Sequence, residues 1–278
     1  MDLFVREVGD GPTIVVLHGG PDFDHTYLLP ELDLLADSFR LVYYDQRGRG
    51  RSVDGVQPGD VTLESELEDL DTIRRHLGLE TIAILGHSWG GLLAMAYAGR
   101  HPDSVSQLIL MNTAPGSHAG RLLLNRFWTR RRSPADVEAM AALAARDAFR
   151  RGDVDTEAAY YRLHYKPALY RAEQVDAVVG HLRAHFTPET ILLARAIEHR
   201  LYDQTWNRED FDLLPQLGEL AAPALVLHGE NDFVPVEVAE QIADAIPGAR
   251  LHVLPRCGHF SYLEAPDEVR RALTELFG

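Results

Sequence analysis

The sequence holds a single cysteine, Cys257, among its 278 residues. A disulfide within one chain is therefore excluded, and the scarcity suits a reducing compartment. Cys257 stands two residues before His259 and reads as a packed thiol rather than a reactive one. No stretch approaches the ~20 consecutive apolar residues of a membrane-spanning helix. Asp2, Arg6 and Glu7 place charges where a secretory signal needs an apolar segment. A cytoplasmic location with no membrane partner is expected. Positive charge is in deficit too: 27 Lys plus Arg against 42 Asp plus Glu leave a formal charge of -15. That balance repels phosphate backbones, so no nucleic-acid partner is expected. The basic run Arg121, Arg126, Arg130, Arg131 and Arg132 is the local exception and reads as a solvated face.

Motifs for metals and nucleotides are missing as well. There is no His-Glu-x-x-His, no Cys-x-x-Cys and no Gly-x-Gly-x-x-Gly. The loop Asp45 to Ser52 is rich in Arg and Gly but lacks the Gly-Lys-[Ser/Thr] ending of a phosphate-binding loop. It reads as a structural element shaping a rim. Neither a metal nor a cofactor is expected.

What is present describes one enzyme-sized α/β body, with 46% apolar and 25% charged residues, close to the average for globular proteins. Buried strands are expected at 13–17, 41–44, 81–85 and 108–111, with a helix between the second and third, capped by Thr62 and marked by Leu63, Leu67, Leu70, Ile73 and Leu77. Alternation of this kind predicts a mostly parallel sheet flanked by helices. Between about Pro115 and Leu214 the strand signal vanishes, and helices are expected near 134–151, 156–165, 171–186 and 188–202. Strands return at 224–228 and 251–254, each followed by a helix. The chain thus divides into an α/β core over 1–114 and 215–278 and an inserted helical segment over 115–214.

Gly86-His87-Ser88-Trp89-Gly90 follows a predicted strand and opens a predicted helix, the context in which a serine is lifted on a sharp turn as a nucleophile. A serine hydroxyl needs a base to take its proton. His259 stands out because Pro255 to His259 follows the last predicted strand; His87 and His228 are rivals by position. The imidazole needs a carboxylate in turn, and Glu230 and Asp232 compete for that place just after the preceding strand. Donors for a developing oxyanion fit the backbone N–H of Trp89 and the turn His18-Gly19-Gly20-Pro21, with Gly20 as the second donor.

Together, His18-Gly19-Gly20-Pro21, Asp45 to Ser52, Gly86 to Gly91, Leu227 to Asp232 and Gly258-His259 resemble the proline iminopeptidase family of α/β-hydrolases. The resemblance implies the α/β-hydrolase fold with a helical cap and the order Ser88, Asp232, His259 for the catalytic residues. It implies release of an N-terminal residue, often proline, from short peptides, with acids of the cap binding the free amino group. On that pattern Glu198, in Ala194 to Glu198, is the first such acid and Glu209 the second, with Asp203 and Asp210 as rivals and Gly19 beside the substrate. Two departures stand out: Asp22 where the family has a glycine, and His87 before the serine, as in related esterases. A carboxylesterase, or another ester, amide, lactone or carbon-carbon bond hydrolase of the same fold, is the alternative. A non-catalytic ligand-binding member is the minor one. The expected partner is a small molecule or short peptide.

Overall fold

The structure is a computed structural model and describes residues 2–278. Seven strands form one sheet: β1 (Val5–Val8), β2 (Thr13–Leu17), β3 (Arg40–Tyr44), β4 (Ile82–His87), β5 (Val105–Met111), β6 (Ala224–Gly229) and β7 (Arg250–Leu254). Their order is β1-β3-β2-β4-β5-β6-β7. Only β1 runs antiparallel, Val5 pairing with Tyr44. The central strands are continuous runs of β-branched and aliphatic residues because helices cover both faces of a parallel sheet; every side chain from Ile14 to Leu17 and from Ile82 to Leu85 is buried.

Two helices follow the first strands, α1 (Leu63–His76) and α2 (Trp89–Arg100). Thr62 caps α1, its hydroxyl accepting from the Ser65 amide at 3.0 Å. Between β5 and β6 come α3 (His118–Arg131), α4 (Pro134–Ala144), α5 (Asp147–Arg150), α6 (Val154–Tyr165), α7 (Val175–His181) and α8 (Pro188–Gln204). The chain closes with α9 (Val236–Ala245), α10 (Ser261–Glu264) and α11 (Pro266–Phe277). Among the described residues no helix is long and apolar enough to cross a membrane.

β2 lies between β3 and β4, so the chain leaves β2 to one side and then returns to the other. Loops part at such a reversal and open a crevice beyond the carboxyl ends of the strands. Gly19 and Gly20 follow β2, Ser88 follows β4, Asp232 follows β6 and His259 follows β7, so all lie along that one edge. The loop after β3 is tied down by ion pairs. Arg49 is fully buried with Glu66 at 2.8 Å, Arg47 holds Asp69 at 2.6 Å, and Asp45 accepts from the Arg51 amide at 2.9 Å.

Candidate active site

β4 ends at His87 and α2 begins at Trp89, which leaves Ser88 alone to turn the chain. Its φ of 54° and ψ of -117° cost an L-residue about 1–3 kcal/mol. Its neighbours hold it there: the Ser88 amide donates to Met111 at 3.2 Å, and its carbonyl accepts from Gly91 and Ala114 at 2.9 Å each. A Cβ at Gly86 would collide with the Gly90 carbonyl, one at Gly90 with the Leu17 carbonyl and one at Gly91 with the Thr113 side chain. The glycines around the serine are thus required by close backbone packing. Ser88 is half-buried and opens into a cavity of about 780 Å³.

Asp232 and His259 are brought together by adjacent loops, with His259 Nδ1 at 2.9 and 3.0 Å from the two carboxylate oxygens. An ionised carboxylate only accepts, so Nδ1 carries the proton and Nε2 offers its lone pair. Burial works against the charge of Asp232, but His259, His228 and the Val234 amide outweigh it and hold the carboxyl below its ordinary range. Asn112 adds a donor, Nδ2 to Asp232 at 2.9 Å. Glu230, the competing carboxylate, is exposed. His228 is a packed residue whose Nε2 meets the Val234 carbonyl at 2.8 Å. The ring of His259 is hydrogen-bonded to Asp232 and not to Ser88; nucleophile–base bonds are often long in a resting site and tighten around substrate.

His87 lies behind the serine, its ring 5.0 Å from that of His259. Its Nε2 is 2.9 Å from the His259 carbonyl and its Nδ1 is 2.6 Å from the Tyr27 hydroxyl, which is 2.8 Å from the Gly19 amide. A carbonyl only accepts, so Nε2 donates to it. Nδ1 then accepts from Tyr27, and Tyr27 accepts from Gly19. Burial and then His259 keep His87 neutral, down at about 3. Gly19 is therefore occupied, and the turn offers Gly20, which lines the cavity with Ser88 at a φ of 122°. The Trp89 amide, first in α2, has no intrahelical acceptor. Cys257 is buried, and burial pushes its thiol well up, away from reactive thiolate character.

Residues of α3, α6 and α8 face Ser88 across the cavity. Glu198 is there, accepting from the Tyr202 hydroxyl at 2.8 Å. Burial first, and Asp22 next, push its carboxyl up to about 8. Asp22 also lines the cavity; it accepts from the Tyr161 hydroxyl at 2.8 Å and pairs with Arg183, which in turn pairs with Glu157.

Several sequence expectations need correction here. Glu209 is exposed and does not line the cavity, and neighbouring Asp210 pairs with Arg208 at 2.8 Å. Asp203 accepts from Asn207 at 2.7 Å and is likewise exposed. Gly19, whose amide donates to the Tyr27 hydroxyl at 2.8 Å, is not among the residues that line the cavity. The basic run is not uniformly solvated: Arg126 and Arg130 are exposed, but Arg121 and Arg132 line the cavity, and Arg131 donates to the carbonyls of Asp232 and Pro167 at 3.2 Å each. Helical spacing is the signal for this, since Arg121, Leu124, Trp128 and Arg132 fall on one face of α3 and its C-terminal cap. Asn112 and Tyr27 carry no comparable signal; their roles arise only from the fold.

Residues 12–266 match the family model described as alpha/beta hydrolase fold. A proline iminopeptidase of Lactobacillus helveticus is 27% identical over 98% of this chain and 91% of its own length. One of Saccharolobus solfataricus is 29% identical over 97% of this chain and 86% of its own length. Among solved structures, a thermophilic esterase from Thermogutta terrifontis is 27% identical, with a TM-score of 0.70 over 99% of this chain and 92% of the esterase. With the sheet order, the turn at Ser88 and a match that spans nearly the whole chain, the protein belongs to the alpha/beta hydrolase fold family.

Proposed function

We propose that the protein is a serine hydrolase that releases an N-terminal residue, proline among them, from short peptides, as the proline iminopeptidases it is similar to are named for. The observation that carries this reading is Glu198, a carboxylate in the same cavity as Ser88, with a tyrosine hydroxyl as partner and, among the described residues, no arginine or lysine paired to it. Burial disfavours its charge; an ammonium group placed beside it restores that charge, and a buried pair of this kind is worth keeping intact. Residues 115–214 act as the cap that brings Glu198 over the serine.

In this mechanism His259 Nε2 takes the Ser88 proton as Oγ attacks the scissile carbonyl, and Asp232 stabilises the imidazolium at Nδ1. The amides of Gly20 and Trp89 receive the developing oxyanion; loss of one such donor typically costs about 100- to 1000-fold in kcat. His259 then gives its proton to the leaving amine, and water repeats the sequence to free the acyl group.

A second reading, a carboxylesterase, draws on the esterase likeness and on the raised pKa of Glu198, about 8, which makes a neutral carboxyl available at pH 7. Turnover of amino-acyl arylamides with free amines, their N-acetylated forms and simple aryl esters separates the two. Preference for free amines supports the peptidase; turnover of the esters alone overturns it in favour of the esterase.

A further inference from the structure

The wall of the cavity is not uniform in charge. Glu198 stands on the side of the Trp89 turn, for its partner Tyr202 has its ring 6.2 Å from that of Trp89. Arg132 stands toward His259: its guanidinium lies 4.7 Å from the centre of the Trp128 ring, Trp128 is 4.7 Å from Phe233, and Phe233 is 4.3 Å from His259. A ladder of rings thus joins Arg132 to the imidazole.

We propose that Arg132 binds the carboxylate of the leaving amino acid, so that the preferred peptides are dipeptides with a free C-terminus. This names a substrate class for the site and rests, for its peptide form, on the aminopeptidase reading above.

Three observations support it. Among the described residues no carboxylate pairs with Arg132, in contrast to buried Arg49 and Arg183. Its Nε is buried without a hydrogen-bond partner, and one Nη donates to His164 Nδ1 at 3.1 Å. That bond requires His164 to be neutral, and burial followed by Arg132 itself keeps the imidazole so, down at about 3. The guanidinium is therefore held in place by a neutral acceptor and an aromatic face while its charge stays uncompensated. Burial lowers its pKa, which is the cost that an anion in the cavity relieves.

The chemistry of the leaving group fits the same end. His259 must protonate the departing amine, so the amine nitrogen lies at the imidazole. In a dipeptide the free carboxylate is two bonds from that nitrogen, so it emerges on the His259 side and not on the side of Glu198. A planar guanidinium matches a carboxylate in a two-point contact that a lysine cannot reproduce. Amine and carboxylate then meet Glu198 and Arg132 at separate places on one cavity wall, while Arg121, stacked on Tyr202 and Trp206, stands at the Glu198 end.

The experiment measures kcat/KM for prolyl-glycine against prolyl-glycinamide, and for acetoxyacetate against acetoxyacetamide, esters without any amine whose leaving groups, glycolate and glycolamide, are the hydroxy counterparts of glycine and glycinamide. The wild type is expected to favour the free acid by about tenfold or more in each pair, mainly through KM, as a hydrogen-bonded charge pair warrants. Arg132→Gln brings both ratios toward one, and Arg132→Lys lowers them only in part. A general structural loss would lower acid and amide alike and leave the ratios standing, which overturns the assignment. Equal turnover of acid and amide by the wild type overturns it as well. If both peptides are inert while acetoxyacetate is preferred and Arg132→Gln removes that preference, Arg132 is the carboxylate site and the aminopeptidase reading is the part that fails.

Discussion

Asn112 Nδ2 donates to Asp232 at 2.9 Å and also to the Gly258 carbonyl at 2.9 Å, so a single amide ties the carboxylate to the loop that carries His259. Asn112 does this from a φ of 46°, a left-handed conformation that asparagine tolerates better than most residues. Asn112→Gly keeps the backbone and removes the donor. A hydrogen bond to a charged group is worth about 1.5–3 kcal/mol, so kcat/KM is expected to fall roughly ten- to a hundredfold at 1.4 kcal/mol per decade. Steady-state kinetics at unchanged thermal stability check this; an unaltered rate removes Asn112 from the machinery.

Three histidines contribute to the response to acid, His18 and His87 buried and His164 on the cavity wall. His18, His87 and His164 are each held at about 3, burial being the first cause in all three. Their folded pKa values lie below the ordinary ~6.5 of an unfolded histidine. The stability they permit is therefore complete above that value and is lost as pH falls toward 3. Each contributes a slope of about 1.4 kcal/mol per pH unit below roughly pH 6. Urea unfolding at pH 7 and pH 5 is expected to show a steep loss for the wild type and a smaller one for His164→Gln. Equal losses in the two proteins would mean that His164 already carries its proton in the folded state.

If Ser88 and His259 act as one unit, their losses do not multiply. Ser88→Ala and His259→Ala are each expected to abolish most turnover, and the double variant to be no slower than the worse of the two. A double variant slower by the product of the single losses would mark two independent contributions.

The sheet was legible because parallel strands buried on both faces leave apolar runs, Ile-Val-Val-Leu in Thr13–Leu17 and Ala-Leu-Val-Leu in Ala224–Gly229. β1 was not: it is a four-residue edge strand whose Arg6 and Glu7 pair with Asp33 and Arg40 instead of entering a core. The helix expected at 134–151 breaks into α4 and α5 around Arg146, and α3 was hidden because its cavity-facing positions are arginines as well as Leu124 and Trp128. In the site, the turn at Ser88 carries a local signature, since its glycines are demanded by adjacent backbone. Asp22 meeting Arg183 across 161 residues, or Tyr27 reaching His87 across 60, depends on how the elements close over one another, and no local pattern encodes that.

The central claim is that Glu198 reads a substrate ammonium group over Ser88. Its carboxyl is raised to about 8 by burial and by Asp22, so the stability of the fold falls as pH rises from the ordinary ~4.3 of an unfolded glutamate to about 8, and Glu198→Gln is expected to unfold at a higher temperature than the wild type at pH 9 but not at pH 5. The same variant keeps the shape and removes the charge. The direct measurement is kcat/KM of wild type and Glu198→Gln on a proline arylamide and on a neutral aryl ester. The account predicts a loss of roughly a hundredfold on the arylamide, as for breaking a buried ion pair, with little change on the ester. Equal losses on both substrates, or none on the arylamide, would contradict it.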